Sequence, residues 1–317
     1  MKLSKEALSG WVELSGLPKF TTTLIPFLLG AVLALTGADG CDFNAPVFII
    51  SLLVVLLLTE FCFVLNACAI YADLKQKGVD FHVSGISSLH STAVSGRFNA
   101  LVKGTPSVKQ AVTGAYACMF AALPLGVLLQ FYFKTGILTL PLGLLGAFIA
   151  YSYSRGLRLS YHGLGEIALT IGVGWLTVFS GYYVLVHQVS WLPTIVALPW
   201  VIDVFKLKLM RNIPDYDCDL SINRRNLTIR LGKDITARLY LPLTICSWLA
   251  FVPLLFLDLP YIGFLLLAIP IFFMAKGLKK FDLENEEEVS ATIRNAFTGM
   301  ILIPVVLIGI FVLKVVL

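Results

Sequence analysis

Charged side chains are scarce in this sequence. Asp, Glu, Lys and Arg make up 14% of its 317 residues, against roughly a quarter in a soluble domain, which excludes an ordinary water-soluble fold. Paired cysteines are absent too. Cys41, Cys62, Cys68, Cys118, Cys218 and Cys246 are scattered, form no CxxC pair and fall mostly in apolar stretches, where they read as small packing residues rather than metal ligands or a disulfide framework. His82, His90 and His162 share no ligand spacing, which argues for surface or hydrogen-bonding roles over a metal centre. The start of the chain has no short apolar run followed by a small-residue cleavage site. A cleavable signal peptide is therefore not expected, and the amphipathic first 18 residues, with Lys2, Lys5, Glu6 and Glu13, predict a helix over 1–18 along a membrane surface.

Apolar residues, by contrast, fill 58% of the positions. Nine segments are long and apolar enough to cross a hydrocarbon core as helices: 20–37, 46–71, 109–132, 136–154, 166–187, 190–210, 237–258, 261–276 and 294–316. The expectation is an all-α polytopic protein of the lipid bilayer, a single domain over 1–317 with nine transmembrane helices. With the N-terminus inside, all of the 24 basic residues except Lys134 and Lys314 fall on the inner side. The positive-inside rule then places this protein in the plasma membrane with a cytoplasmic N-terminus and an outside C-terminus. The net charge of +5 follows from that asymmetry, and no nucleic-acid partner is needed to explain it.

The two longest connections, 72–108 and 211–236, both fall on the cytoplasmic side, and connections of that length in a compact bundle carry function. Each follows an even-numbered span, which suggests two parallel four-helix repeats and a ninth helix. In the second connection Asp215 and Asp219 stand one helical turn apart, with Asn212 one turn earlier, so a helix extending the sixth span would put all three on one face. Such an oxygen site suits Mg²⁺ completed by a diphosphate, and Arg211, Arg224, Arg225 and Arg230 bracket it, where they could grip phosphate oxygens or simply form a solvated loop that obeys the positive-inside rule. The first connection matches it: Asp73 and Asp80 follow the second span, and Asn66 lies two turns before Asp73 on the same face. Two facing acidic clusters could hold two Mg²⁺ ions and a diphosphate between them.

These stretches resemble a family. "NACAIYADLKQKGVD", from Asn66 to Asp80, and "NIPDYDCDLSINRRNLTIRLG", from Asn212, together with "LPKFTTTLIPFLLGAVLA" and "YHGLGEIALTIGVGWLTVFSGYYV", look like the motifs of the UbiA superfamily of intramembrane prenyltransferases. The closer match is its menaquinone branch, the 1,4-dihydroxy-2-naphthoate prenyltransferases. The first motif keeps Asn66, Tyr71, Asp73, Gly78 and Asp80; the second keeps Asn212, Asp215, Asp219, Leu227, Arg230, Leu231 and Gly232, with Arg224 at a usual lysine. Ala69 and Ile70 stand where the branch has Asn-Asp, and Pro214, Leu220 and Asn223 depart from the second motif.

The resemblance implies Mg²⁺-dependent transfer of an isoprenoid chain from a polyprenyl diphosphate to an aromatic acceptor. It implies Asp73, Asp215 and Asp219 as Mg²⁺ ligands and Asp80 as a ligand or a base. Asn66, Tyr71 and Asn212 would join the binding site, Lys75 and Lys77 would contact phosphate or simply carry inside-positive charge, and Arg155, Arg158, Arg224 and Lys19 would contact diphosphate or an acceptor carboxylate. A relative with another acceptor, or a weakened prenyl-lipid-binding protein, fits the altered first motif. A transporter would gather polar groups near the midplane, whereas these carboxylates gather at the cytoplasmic ends. Glu60, inside a span, reads equally as a hydrogen-bonded interior group or a substrate contact. Glu166 reads equally as a cap of the fifth helix or an acceptor contact. Tyr151, Tyr153, Tyr161, Tyr182 and Tyr183 read as packing or interface anchors, and the acidic run 282–290 as a solvated loop and cap.

Overall fold

The computed structural model describes residues 5–37, 41–79, 98–278 and 282–317. Asp80, His82 and His90 therefore lie outside the described residues. Every regular element described is helical. A short amphipathic helix, α1 (Lys5–Ser15), leads through the turn Leu17–Phe20 into α2 (Thr21–Thr36) and then α3 (Ala45–Gln76). There follow α4 (Val108–Tyr132), α5 (Thr139–Ser154), α6 (Gly165–Val186) and α7 (Leu192–Arg211). The chain continues with two short helices, α8 (Tyr216–Ser221) and α9 (Leu227–Leu231), then α10 (Lys233–Phe256), α11 (Tyr261–Lys276) and α12 (Glu286–Val316).

Five of these, α3, α4, α6, α10 and α12, are long and apolar enough to cross a membrane, and α2 and α11 are shorter apolar helices. Their starts are specified locally. Asn44 caps α3 by accepting from the Val47 N–H at 3.2 Å, Ser107 and Gln110 form a reciprocal capping box for α4, and Asn285 accepts from the N–H groups of Glu287 and Glu288 at the head of α12.

The bundle closes where small residues let backbones meet. A Cβ on Gly30 of α2 would lie 2.0 Å from the Val178 carbonyl of α6, and one on Gly181 would lie 2.3 Å from the Phe27 carbonyl, so only glycine permits this crossing. One core cluster joins α2, α6, α7, α10, α11 and α12; a second joins α1, α3 and α4 and takes in Tyr161 and Ile222. Helix α1 is part of that core: Leu14 is buried, and Ser15 Oγ donates to Glu60 Oε1 at 2.5 Å.

Two expectations are corrected by this architecture. Helix α3 runs past the second apolar segment to Gln76 because Leu74 is buried against the second core, so Asp73 sits on the last turn of a helix rather than in a loop. Helix α7 stops at Arg211 instead of carrying Asp215 and Asp219 on a continuous extension. Pro214 explains the break, since it lacks an N–H and disfavours helical geometry in the residue before it. Lys206, one of the basic residues assigned above to the inner side, is wholly buried in α7, 2.7 Å from Asp203 and 3.1 Å from Thr244 Oγ1.

Candidate active site

The carboxylate of Asp73 accepts hydrogen bonds from Arg158 and from the Tyr161 hydroxyl, the latter at 2.6 Å. Both donors come from the tight segment between α5 and α6, where Gly156, Arg158 and Gly163 all take left-handed backbone angles. At Gly163 the space is closed as well, because a Cβ there would lie 2.7 Å from Arg230 Nε. The Arg158 guanidinium stacks 3.7 Å from the centre of the Tyr161 ring. Burial, reinforced by the bond to Asp73, pushes the Tyr161 phenol up to about 12, so it stays a donor at neutral pH. Burial opposes the Arg158 charge, yet Tyr161 and Asp73 outweigh it and hold the guanidinium above its ordinary pKa.

The second acidic group is built by the break after α7. Asp215 is the N-cap position of α8, and Asp219 follows on that helix, its N–H bonded to the Asp215 carbonyl at 2.8 Å. Arg224 Nη1 reaches both Asp219 oxygens at 3.0 Å, and Asn226 Nδ2 donates to Oδ2 at 2.6 Å while its Oδ1 caps α9. This pair is buried, Asp219 at 2% and Arg224 at 1% exposure. Burial raises the Asp219 carboxyl, with Arg224 opposing and Asp215 adding to the rise.

Tyr161 joins the two groups. Its hydroxyl serves Asp73, its carbonyl accepts from the Arg225 N–H at 3.2 Å, and its ring is flanked by Arg158 on one side and by Arg224 at 5.9 Å. The structure thus brings Asp73, Asp219, Arg158 and Arg224 to one end of the bundle. Asn212 is buried beside them, donating to Glu166 Oε1 at 2.7 Å and accepting from Lys208 at 2.7 Å. Tyr71 is buried against Phe98, and Lys75, Lys77 and Arg155 are exposed around the same end. Lys19 stands apart: its Nζ lies 5.6 Å from the Phe63 ring, and Phe63 precedes Asp73 by nearly three turns of α3, roughly 15 Å. Tyr161, Asn226 and Lys208 were not singled out for this site by sequence, though Tyr161 opens the YHGLGE run.

Below this end, between α2, α3, α4, α5 and α6, lies a cavity of ≈ 150 Å³ walled mainly by apolar side chains. Cys62, Ala150 and Leu169 line it. One turn further towards the acidic groups on the same three helices come Asn66, Tyr153 and Glu166, so the cavity lies about one helical turn below the charged end.

Whether Mg²⁺ fits can be judged from the donor set. Among the described residues no three His, Cys, Asp or Glu side chains converge as a cage, and both Asp73 and Asp219 are already paired with arginine. That arrangement suits an ion bound through one or two carboxylates plus substrate phosphates, which is how Mg²⁺ commonly sits, rather than a resident all-protein site.

A family model described as the UbiA prenyltransferase family matches residues 23–301. No curated protein matches in sequence. Among solved structures, a UbiA homologue from Aeropyrum pernix K1 is 17% identical with a TM-score of 0.64, over 94% of this chain and 98% of that one. A UbiA homologue from Archaeoglobus fulgidus, bound to DMAPP and Mg²⁺, is 15% identical with a TM-score of 0.62, over 92% and 98%. A digeranylgeranylglyceryl phosphate synthase is 16% identical with a TM-score of 0.62, over 97% and 99%.

Proposed function

This chain belongs to the UbiA prenyltransferase family, and on that premise we propose that it moves an isoprenoid chain from a polyprenyl diphosphate to a hydroxylated aromatic acceptor resembling 1,4-dihydroxy-2-naphthoate, in menaquinone or quinone synthesis. The observation that carries this reading is the placement of two carboxylate–arginine groups at the head of an apolar cavity. A prenyl diphosphate has the same division, with a tail that belongs among apolar helices and a head that needs cations. The reading includes nine membrane-crossing helices, with the N-terminus and the charged end in the cytoplasm and the C-terminus outside, as the distribution of basic residues supports.

In the reaction the allylic C–O bond breaks and its electron pair leaves with the diphosphate. The acceptor ring then supplies the electrons of the new C–C bond and loses a proton. Asp73, Asp215 and Asp219, with Asp80 as a further ligand or a base, would hold Mg²⁺, which when bound neutralises the developing charge on the leaving diphosphate. Arg158 and Arg224 sit close enough to these carboxylates to take phosphate oxygens, and Asn212 and Tyr161 hold the two groups in register. The cavity walls keep water from the allylic carbon.

A second reading keeps the donor and changes the acceptor. It is favoured by Ala69 and Ile70, which are buried and offer no oxygen where the menaquinone branch has Asn-Asp. Incubating the purified protein in detergent with Mg²⁺, a labelled polyprenyl diphosphate and a panel of hydroxy-naphthoates, hydroxybenzoates and aliphatic alcohols distinguishes the two. Pyrophosphate release and product mass with a naphthoate support the first reading; turnover only with another class selects the second; no turnover with Mg²⁺-dependent diphosphate binding points to a non-catalytic lipid binder.

A further inference from the structure

Glu166 is 1% exposed, yet its two oxygens have different surroundings. Oε1 accepts from Asn212 Nδ2 at 2.7 Å and from the Leu227 N–H at 3.3 Å, so one atom ties together both ends of the segment that carries Asp215, Asp219 and Arg224. Neither bond caps its own helix. Oε2 is buried and makes no hydrogen bond, which is costly for a carboxylate oxygen. On α6, Glu166 shares a face with Leu169, which lines the cavity. Asn66 Oδ1, one turn past Cys62 on α3, is likewise buried without a hydrogen bond. Glu166 and Asn66 thus stand one helical turn beyond the cavity lining, on the side of the acidic groups, each with a buried oxygen that lacks a hydrogen-bond partner. Diphosphate oxygens have no proton to donate and would be repelled by a carboxylate there, whereas a hydroxyl group on the acceptor ring, on the side away from any carboxylate of its own, supplies the missing donor.

We propose that Glu166 binds the acceptor substrate, its Oε2 accepting a hydrogen bond from a ring hydroxyl while Oε1 keeps the second acidic segment in place. This rests on the reading of the chain as an aromatic prenyltransferase. The discriminating variant is Glu166→Gln: its amide oxygen retains the bonds to Asn212 and Leu227, and its NH₂ group replaces the oxygen that would meet the hydroxyl. Steady-state kinetics in detergent, with Mg²⁺, a polyprenyl diphosphate and either a hydroxy-naphthoate or its methoxy analogue, should show the acceptor KM rising about ten- to a hundredfold. The diphosphate KM, the Mg²⁺ dependence and the melting temperature should hold. Wild type should discriminate hydroxy from methoxy, and Glu166→Gln should lose that discrimination. Titration of the same hydroxy-naphthoate into protein loaded with Mg²⁺ and inorganic pyrophosphate gives a turnover-independent readout, with the same weakening expected in the variant. An unchanged acceptor KM and affinity beside normal wild-type turnover would overturn the inference alone, as would a shift confined to diphosphate or Mg²⁺, which would make Glu166 a positioning residue. A wild type that neither turns over nor binds any hydroxylated aromatic overturns the underlying reading, and this inference with it.

Discussion

At the scale of single residues, the buried Asp219–Arg224 pair changes how mutations must be read. Removing one member strands a buried charge, which costs about 3–5 kcal/mol. Asp219→Ala and Arg224→Ala are therefore expected to lower thermal stability in detergent as well as turnover. Asp219→Asn keeps an oxygen for Arg224, so it should abolish pyrophosphate release with a smaller drop in melting temperature; retention of full activity by this variant would remove Asp219 from the metal site. Tyr161 offers a pH-dependent test. Its phenol is raised from an ordinary 10.0 to about 12 in the fold, so its stabilising contribution is complete below pH 10 and is lost as pH rises through 12. Tyr161→Phe should be less stable at pH 8 and should show a shallower decline between pH 10 and 12, measured by thermal denaturation across that range. Asp73 and Asp219 stood out in the sequence by their place after two apolar spans, but the pairings that hold them did not. Arg158 and Tyr161 reach the Asp73 carboxylate, and Asn226 reaches that of Asp219, through turns, and turns bring together residues whose spacing carries no periodic signal.

At the scale of helices, close approach and buried charge set the packing. The α2–α6 crossing leaves no room for a side chain at Gly30 or Gly181, so Gly181→Leu should prevent folding or leave a protein with a markedly lower melting temperature, checked by size-exclusion and thermal unfolding. The Asp203–Lys206 pair, buried between α7 and α10 beside Thr244 and the Tyr240 ring, makes a sharper case. Lys206→Met alone should destabilise by about 3–5 kcal/mol, whereas Asp203→Leu with Lys206→Met should be nearly neutral or stabilising, because replacing both ions removes the desolvation cost along with the attraction. A double-mutant cycle measures this directly. Composition marks α7 as apolar with four charges; only the neighbouring helix reveals that two of those charges face inward.

At the scale of the whole molecule, the apolar cavity lies one helical turn below the charged end, and on the proposed function it holds the prenyl chain, so its depth should limit donor length. Gly143 lines the cavity, and a Cβ there meets nothing within 4 Å. Gly143→Phe should therefore fold with little loss of stability and shorten the longest prenyl diphosphate that is turned over, read from products made with donors of graded length. An unchanged length preference would place the tail elsewhere.

Hydropathy by itself determined that this is an all-helical membrane protein, and the two spaced acidic motifs carried a resemblance to the UbiA prenyltransferase family that the family match over residues 23–301 bears out, because apolar runs and short motifs are local properties of the chain. Which residues meet was decided only by the tertiary structure. The pairing of Asp73 with Arg158 and Tyr161, the loop clasp made by Glu166 and the internal salt bridge of Lys206 join positions far apart in the chain, and such contacts follow from helix packing and turn geometry. No spacing rule records them.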